Sequence, residues 1–537
     1  MRKLTPISLS FAAMVFLAAC GTSKVSFKNK TMISASEVPL KNAKIADNEL
    51  KRWSHLDLIK DTIPGMSVDR AYEELLQFRT PSPLIVAVID SGIDIEHEDL
   101  QGKIWTNANE IANNGIDDDK NGYIDDVHGW NYLGDIVKEN YEYTRIYHNP
   151  SLVDATTYAK VKEKVEGSKQ EAKQGKAQIE MMMNVLKVSD SIISKLLNKS
   201  DYSAEEVSKI ESTDEDVVRS KSMMARLFQF GLPIEKLKEE IKKEYDNIVA
   251  ASTDAPFVDY RKTLGDNPND WNDNKYGNNN VIGPDPKEAL HGTHVAGIIA
   301  QTRGNNLGGD GVVKENVQIM CLRAVPDGDE YDKDIALAIR YAVDNGAKVI
   351  NASFGKSFSP HKEWVWEALK YAASKDVLFV HAAGNSSEDI DVEDNYPTNL
   401  YNEQQVSDAF LEIGALNFVY GNKMVANFSN FGKKSVDIFS PGVQIYATTP
   451  GNEYQYLQGT SMASPNAAGV AALIRSYYPK LTAQQVRQII VDSGLLIEKE
   501  VTVGGDPKDN RMFKDISKNG KIINAYNALL LADKMAK

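Results

Sequence analysis

Two histidines, His291 and His294, stand three residues apart in the stretch HGTHVAG (291–297), with glycine and threonine between them. On a helix that spacing puts both rings on one face. The pair therefore admits three chemistries: a shared metal ion, one general base beside one structural ring, or two core residues. Three more residues suit the second. Asp90 ends the apolar run LIVAVID (84–90), and Asn385 ends VLFVHAAGN (377–385). Ser461 lies in a Gly-Thr-Ser turn at the head of YLQGTSMASPNAAGVAALIRSYYP (456–479). A serine hydroxyl is a poor nucleophile until an imidazole takes its proton. Histidine, with an ordinary pKa of about 6.5, can take that proton and return it to a leaving group. A buried carboxylate can hold the imidazole in the required tautomer. Singly, each residue has a plainer use: a strand-end Asp caps, an Asn after Gly turns, and a Ser before a helix caps it.

The elements that must position these groups are legible as runs. Leu84 to Ile89 is a short, continuous apolar stretch, the mark of a strand buried on both faces of a parallel sheet. AKVINASFG (347–355) and VLFVHAAGN have the same form, and DKDIALAIRYAVDNGA (332–347) between strand runs has helical spacing. Alternating strands and helices predict an open parallel α/β sheet, whose sites form at the carboxyl ends of strands. Asp90, Ser353 and Asn385 all fall at such ends.

Asp90, His291 and Ser461 occur in the order Asp, His, Ser, and the chain resembles the subtilisin-like serine peptidases. The resemblance rests on VAVIDSGID (86–94), HGTHVAG, NASFG (351–355), AAGN (382–385) and GTSMASP (459–465). YP (396–397), FSNFG (428–432), SPGVQIYAT (440–448) and GKIINAYNAL (520–529) also match, so the likeness covers roughly 50–140 and 280–530. It implies a subtilisin-like sheet with helices on both faces and a serine endopeptidase acting through Asp90, His291 and Ser461. It also implies an oxyanion hole from the Asn385 amide and the Ser461 N–H. His294 matches the family's structural histidine, and with no third ligand nearby the metal option is set aside. Ser353, Phe354 and Gly355 match the strand that pairs with a peptide substrate. Ala382, Ala383 and Gly384, in HAAG (381–384), match a wall of the first specificity pocket. These small residues leave room for a large side chain, while Phe354, where the family usually has an aliphatic residue, is expected to narrow a neighbouring subsite.

The departures are an insertion and the N-terminus. The stretch from Asp90 to His291 is far longer than compact family members need, and the insertion occupies about 105–285 of a peptidase domain spanning 51–535. Its part from about 150 to 250 is rich in Lys, Glu, Met and Ser and predicts helices, read either as a cap over the cleft or as a solvated decoration. Within NNGIDDDKNGYIDDVHGWN (113–131), oxygen-bearing side chains recur at Asp117, Asp119, Asn121 and Asp125. Gly122 takes the sixth position and Tyr123 offers a carbonyl at the seventh, as in the first nine positions of an EF-hand loop. A structural calcium ion is the expectation over 117–128, although the twelfth position is His128, which leaves Asp126 as the substitute.

At the N-terminus, Arg2 and Lys3 precede an apolar run from Ile7 to Ala19 that is too short to span a bilayer. Leu17-Ala18-Ala19-Cys20 resembles the lipobox of bacterial lipoproteins, implying a signal peptide over 1–20, lipidation of Cys20, and a tether over 21–50. That tether is too short for the usual family pro-domain. The expected place is the bacterial cell envelope, lipid-anchored in the periplasm or outer membrane, with protein or peptide substrates. The chain has 61 basic against 75 acidic residues, a net charge of −14, which argues against nucleic acid as a partner. Of two cysteines, lipidation of Cys20 leaves Cys321, in the strand-like run VQIMCLRAV, as a buried small hydrophobe with no disulfide partner.

Overall fold

A computed structural model describes residues 27, 30–35, 38–39, 45–228, 233–252, 256–401 and 404–537. Among these residues nine strands form one sheet: β1 (Leu84–Asp90), β2 (Gly129–Asn131), β3 (Val317–Arg323), β4 (Val349–Ala352), β5 (Leu378–Ala382), β6 (Phe410–Leu416), β7 (Ile438–Pro441), β8 (Leu495–Leu496) and β9 (Lys521–Ile522). Their order is β8-β9-β7-β6-β5-β4-β1-β3-β2, and every pairing is parallel except β8 with β9.

The apolar run in β1 explains its central place. Leu84, Val86 and Val88 enter the core on one face, while Ala87 and Ile89 enter a second core on the other. Each fully buried valine or isoleucine contributes about 1.5–3 kcal/mol. Two helices cover the first face: α1 (Leu290–Ala300) and α4 (Thr460–Tyr477). The second face carries α2 (Asp332–Asp344) and α3 (Lys362–Ser374). This is the doubly covered parallel sheet expected from the alternating runs. Cys321 is buried in β3, and burial pushes its thiol pKa up.

Most of the N-terminal stretch, Cys20 included, lies outside the described residues. Where the reading of 21–50 as a tether can be compared, the chain is docked. Phe27, Ala35 and Val38 are buried, Ile33 N–H donates to Asn527 Oδ1 at 2.8 Å, and Lys30 pairs with Glu74. Polar composition concealed these few apolar anchors, which are too sparse to show a period.

The insertion is helical as expected, and one helix of 43 residues, Ala155–Leu197, dominates it. Asp154 caps its start by accepting from Thr156 and Thr157 N–H. Ile179, Leu186 and Ile193 recur every seventh residue and pack with Met224, Leu227, Ile234, Leu237 and Ile241 from the two helices Glu215–Leu227 and Ile234–Ser252. This outer half thus has its own small core. The inner half packs Val161 and Val165 on Ile146 and Phe358.

Candidate active site

β1 delivers Asp90 to its carboxyl end, and α1 carries His291 in its first turn. Asp90 Oδ1 receives His291 Nδ1 at 2.7 Å and Ser91 N–H at 2.8 Å, across 201 residues of chain in the first case. Gly292 makes the approach possible: a Cβ there would lie 2.2 Å from Gly92 O and 3.0 Å from Asp90 Cβ. Thr293 fastens the same junction, donating to Ala289 O and accepting from Asp94 N–H. Partial burial works against a charged imidazole, but the Asp90 carboxylate outweighs it and holds the His291 pKa above its ordinary value.

His294 faces elsewhere. It is buried, and its Nε2–H is shared between Ile445 O and Gln455 O, each at 3.1 Å, in the hairpin Ile445–Thr449/Glu453–Leu457. Burial lowers its pKa to about 4. The two imidazoles are committed to different partners.

Ser461 stands in the first turn of α4, which is stitched to the ends of β4 and β5. Ser464 Oγ bonds Asn351 Oδ1 at 2.8 Å, and Ser353 Oγ donates to Ser461 O at 2.9 Å. The Ser461 hydroxyl donates to Ser353 O at 3.3 Å, a weak contact, rather than to His291. Asn385 Oδ1 accepts both Thr460 N–H (2.8 Å) and Thr460 Oγ–H (3.0 Å). That fixes the amide so that Nδ2 faces the other way. A Cβ placed on Gly459 would lie 3.5 Å from both Asn385 Nδ2 and Ser461 N, so the two donors flank one point beside the serine.

The segment 353–356, which continues from β4, has two different edges. Phe354 O and both backbone groups of Lys356 are bonded inward, the former to His381 Nε2 and the latter to Tyr396. Among the described residues Gly355 has no hydrogen-bond partner for either backbone group. The Phe354 ring, expected at a subsite, turns into the core with Trp366 and Tyr396 around a cavity of about 10 Å³. Ala382 and Ala383 are buried, and Gly384 takes φ +101°, where a Cβ would meet Asn430 Nδ2 at 2.4 Å. Asn430 and Asn395, neither singled out from sequence, both donate to Ala383 O, at 2.9 and 3.1 Å. Asn430 was legible only as part of FSNFG.

Residues 82–514 match the model of the Subtilase family. The chain belongs to the subtilase family. Subtilisin DY of Bacillus licheniformis is 37% identical over 198 residues, covering 37% of this chain and 67% of that protein. A thermophilic serine proteinase of a Bacillus species (strain AK1) is 41% identical over 187 residues, covering 35% of this chain and 42% of the relative, so the chain matches less than half of that relative's length. A solved protease from Pseudoalteromonas arctica aligns with 90% of this chain and 97% of its own at 19% identity and a TM-score of 0.46.

Two further features lie near this site. The first is the root of the insertion beside the segment 353–356. Glu142 binds Lys356 Nζ at 2.8 Å and Arg145 at 2.6 Å, and Arg145 donates to Asp329 O and Glu330 O. Burial works against the Glu142 carboxylate, yet Arg145 and Lys356 overcome it and hold its pKa at about 2. The insertion is therefore clamped by Arg145 hydrogen bonds onto the segment after β3 and by the Glu142–Lys356 ion pair onto the segment after β4, and β3 and β4 flank β1 and Asp90.

The second is the acidic loop. Asp117 accepts Asn121 and Gly122 N–H, and Asp125 accepts Asn114 and Gly115 N–H, so these two carboxylates close turns. The Tyr123 ring packs on Trp130 and Tyr341. The carboxylates that converge are Glu110, Asp119 and Asp126, whose ligand atoms lie within 4.8 Å of one another, with the Asn107 and Asn121 amides beside them. Of the expected set, Asp119 and Asn121 are at this cluster. Glu110 was missed because it lies upstream of the counted loop, and Asp126 had been only a substitute.

Proposed function

We propose that this subtilase is a serine endopeptidase acting through Asp90, His291 and Ser461. The observation that carries the reading is the 2.7 Å bond between Asp90 and His291, supported by the Asn385 amide held through Thr460 next to Ser461 at the start of α4. A peptide pairs with the open edge at Ser353 and Gly355 as an added strand. The Ser461 hydroxyl exchanges its weak bond to Ser353 O for one to His291 Nε2 and attacks the scissile carbonyl, giving its proton to His291. Asp90 stabilises the imidazolium, and Asn385 Nδ2 with Ser461 N–H receives the oxyanion. The proton then passes to the leaving amine, and water hydrolyses the acyl-enzyme by the same steps. Labelling with a fluorophosphonate probe tests the reading: one adduct on Ser461 is expected in the wild type and none in Ser461→Ala. An unlabelled wild type would refute it.

We also propose that Cys20 is lipidated and anchors the chain in the bacterial cell envelope. The support is LAAC after an apolar run. Cys20→Ser is expected to move the protein from the membrane pellet to the soluble fraction. A variant still resisting a carbonate wash places the anchor elsewhere.

The acidic loop is proposed to hold calcium on Glu110, Asp119 and Asp126, with oxygens of Asn107 and Asn121 within reach by amide rotation. An all-oxygen donor set suits a hard cation, which would brace the segment following Asp90. Calcium at a hundredfold excess over Kd is expected to stabilise the fold by about 2.7 kcal/mol, read as a rise in Tm. Asp119→Asn with Asp126→Asn removes the rise, whereas Asp117→Ala keeps calcium binding by calorimetry. Equal binding in wild type and the double variant assigns these carboxylates to the loop's own hydrogen bonds alone.

A further inference from the structure

Behind the substrate edge lies a second His–carboxylate pair that the catalytic steps do not use. His381, the penultimate residue of β5, and Glu412 on β6 are both buried. His381 Nδ1 meets Glu412 Oε1 at 2.9 Å, and His381 Nε2 meets Phe354 O at 2.8 Å. A carbonyl oxygen only accepts, so Nε2 carries a proton whatever the state of Nδ1. The rings of Phe379 and Phe410 pack against the imidazole and close off water. Glu412 N–H donates to Asp437 Oδ2, just before β7, and Asp437 Oδ1 pairs with Arg487 and Lys518, so the contacts run from Phe354 through His381 and Glu412 to these two cations.

The position of this bond on the strand gives it a purpose. In extended chain the N–H and C=O of one residue point to the same edge, and successive residues alternate. Phe354 and Lys356 therefore use the inner edge, toward His381 and Tyr396, and Ser353 and Gly355 the outer one. Holding the Phe354 carbonyl fixes how far the outer edge stands from Ser461.

We propose that His381, oriented by Glu412, is a positioning residue that sets the height of the substrate-pairing strand by anchoring the Phe354 carbonyl. This rests on the peptidase reading above. It assigns His381 no contact with substrate. Peptides long enough to pair with Gly355 depend on the anchor, and substrates reaching only Ser461 do not.

Two near-isosteric variants separate the ring's two bonds. His381→Gln places an amide near the Nε2 position and keeps the bond to Phe354. His381→Asn reaches only the Nδ1 position and keeps the bond to Glu412. Each is assayed with a tetrapeptide anilide and with an N-acetyl amino-acid ester. In His381→Asn the KM for the tetrapeptide is expected to rise about tenfold, the scale of one mispositioned hydrogen bond. Its kcat and the ester's kcat/KM stay near wild type, and His381→Gln stays near wild type on both substrates. Equal behaviour of the two variants, a loss shared equally by both substrates, or a His381→Asn chain that does not fold while His381→Gln does would overturn the positioning role. Wild-type turnover of the ester tests the peptidase reading separately: without it that reading fails, and with it these outcomes bear on His381 alone.

Discussion

Ser461→Ala and His291→Ala each lower kcat by about a millionfold, and the double variant is no worse than either. The magnitude is the one that subtilisin's own serine and histidine show, carried over to this relative. The non-additivity follows from the mechanism: without the hydroxyl the imidazole has no proton to take, and without the imidazole the hydroxyl is not activated. His294→Ala behaves differently. It removes the ring's bonds to Ile445 O and Gln455 O and destabilises the fold by about 1–3 kcal/mol, the cost of leaving the buried Ile445 carbonyl unpaired. Its remaining folded fraction turns over normally. Multiplying losses in the double variant, or a kcat defect in folded His294→Ala, would contradict the assignment. The pH profile follows from the same pair. His291 must be neutral to act as base, and Asp90 raises its pKa, so kcat/KM falls on the acid side with a midpoint above the ordinary 6.5. Asp90→Asn removes the carboxylate and moves that midpoint down in whatever activity survives.

Asn385→Leu lowers kcat by about 10²–10³, or about 2.7–4 kcal/mol, with little change in KM; this scale too comes from subtilisin's own oxyanion asparagine. The geometry explains why the amide is effective. Two hydrogen bonds from Thr460 hold Oδ1, so Nδ2 reaches the developing oxyanion without reorganising. Leucine keeps the volume and loses the donor, leaving Ser461 N–H to act alone. The distinguishing measurement is the split: an interaction made only in the transition state alters kcat, and one made equally with bound substrate alters KM. A KM effect with unchanged kcat removes Asn385 from the oxyanion role.

The elements of this fold were legible locally. Short, largely apolar runs marked β1, β4 and β5, and Asp90, Ser353 and Asn385 lie at or just beyond their carboxyl ends. The apolar spacing of 332–347 was equally local, as was the helical character of 150–250. The order Asp, His, Ser inside its motifs carried the family.

Tertiary structure decided what each side chain faces. Asp117 and Asp125 have the spacing of cation ligands, but loop closure brings backbone N–H groups to them, and Glu110 takes a place at the cluster instead. Phe354 lies in the segment proposed to pair with substrate, but its ring packs into the core, next to the Lys356–Tyr396 backbone pair. Asn395, Asn430, the His381–Glu412 pair and the Glu142–Arg145–Lys356 clamp join segments tens to hundreds of residues apart. Sequence periodicity reports which residues are buried, because burial repeats with the pitch of the element. The partner a buried polar group meets depends on which distant strand or loop the whole sheet brings beside it, and that is settled only when the chain closes.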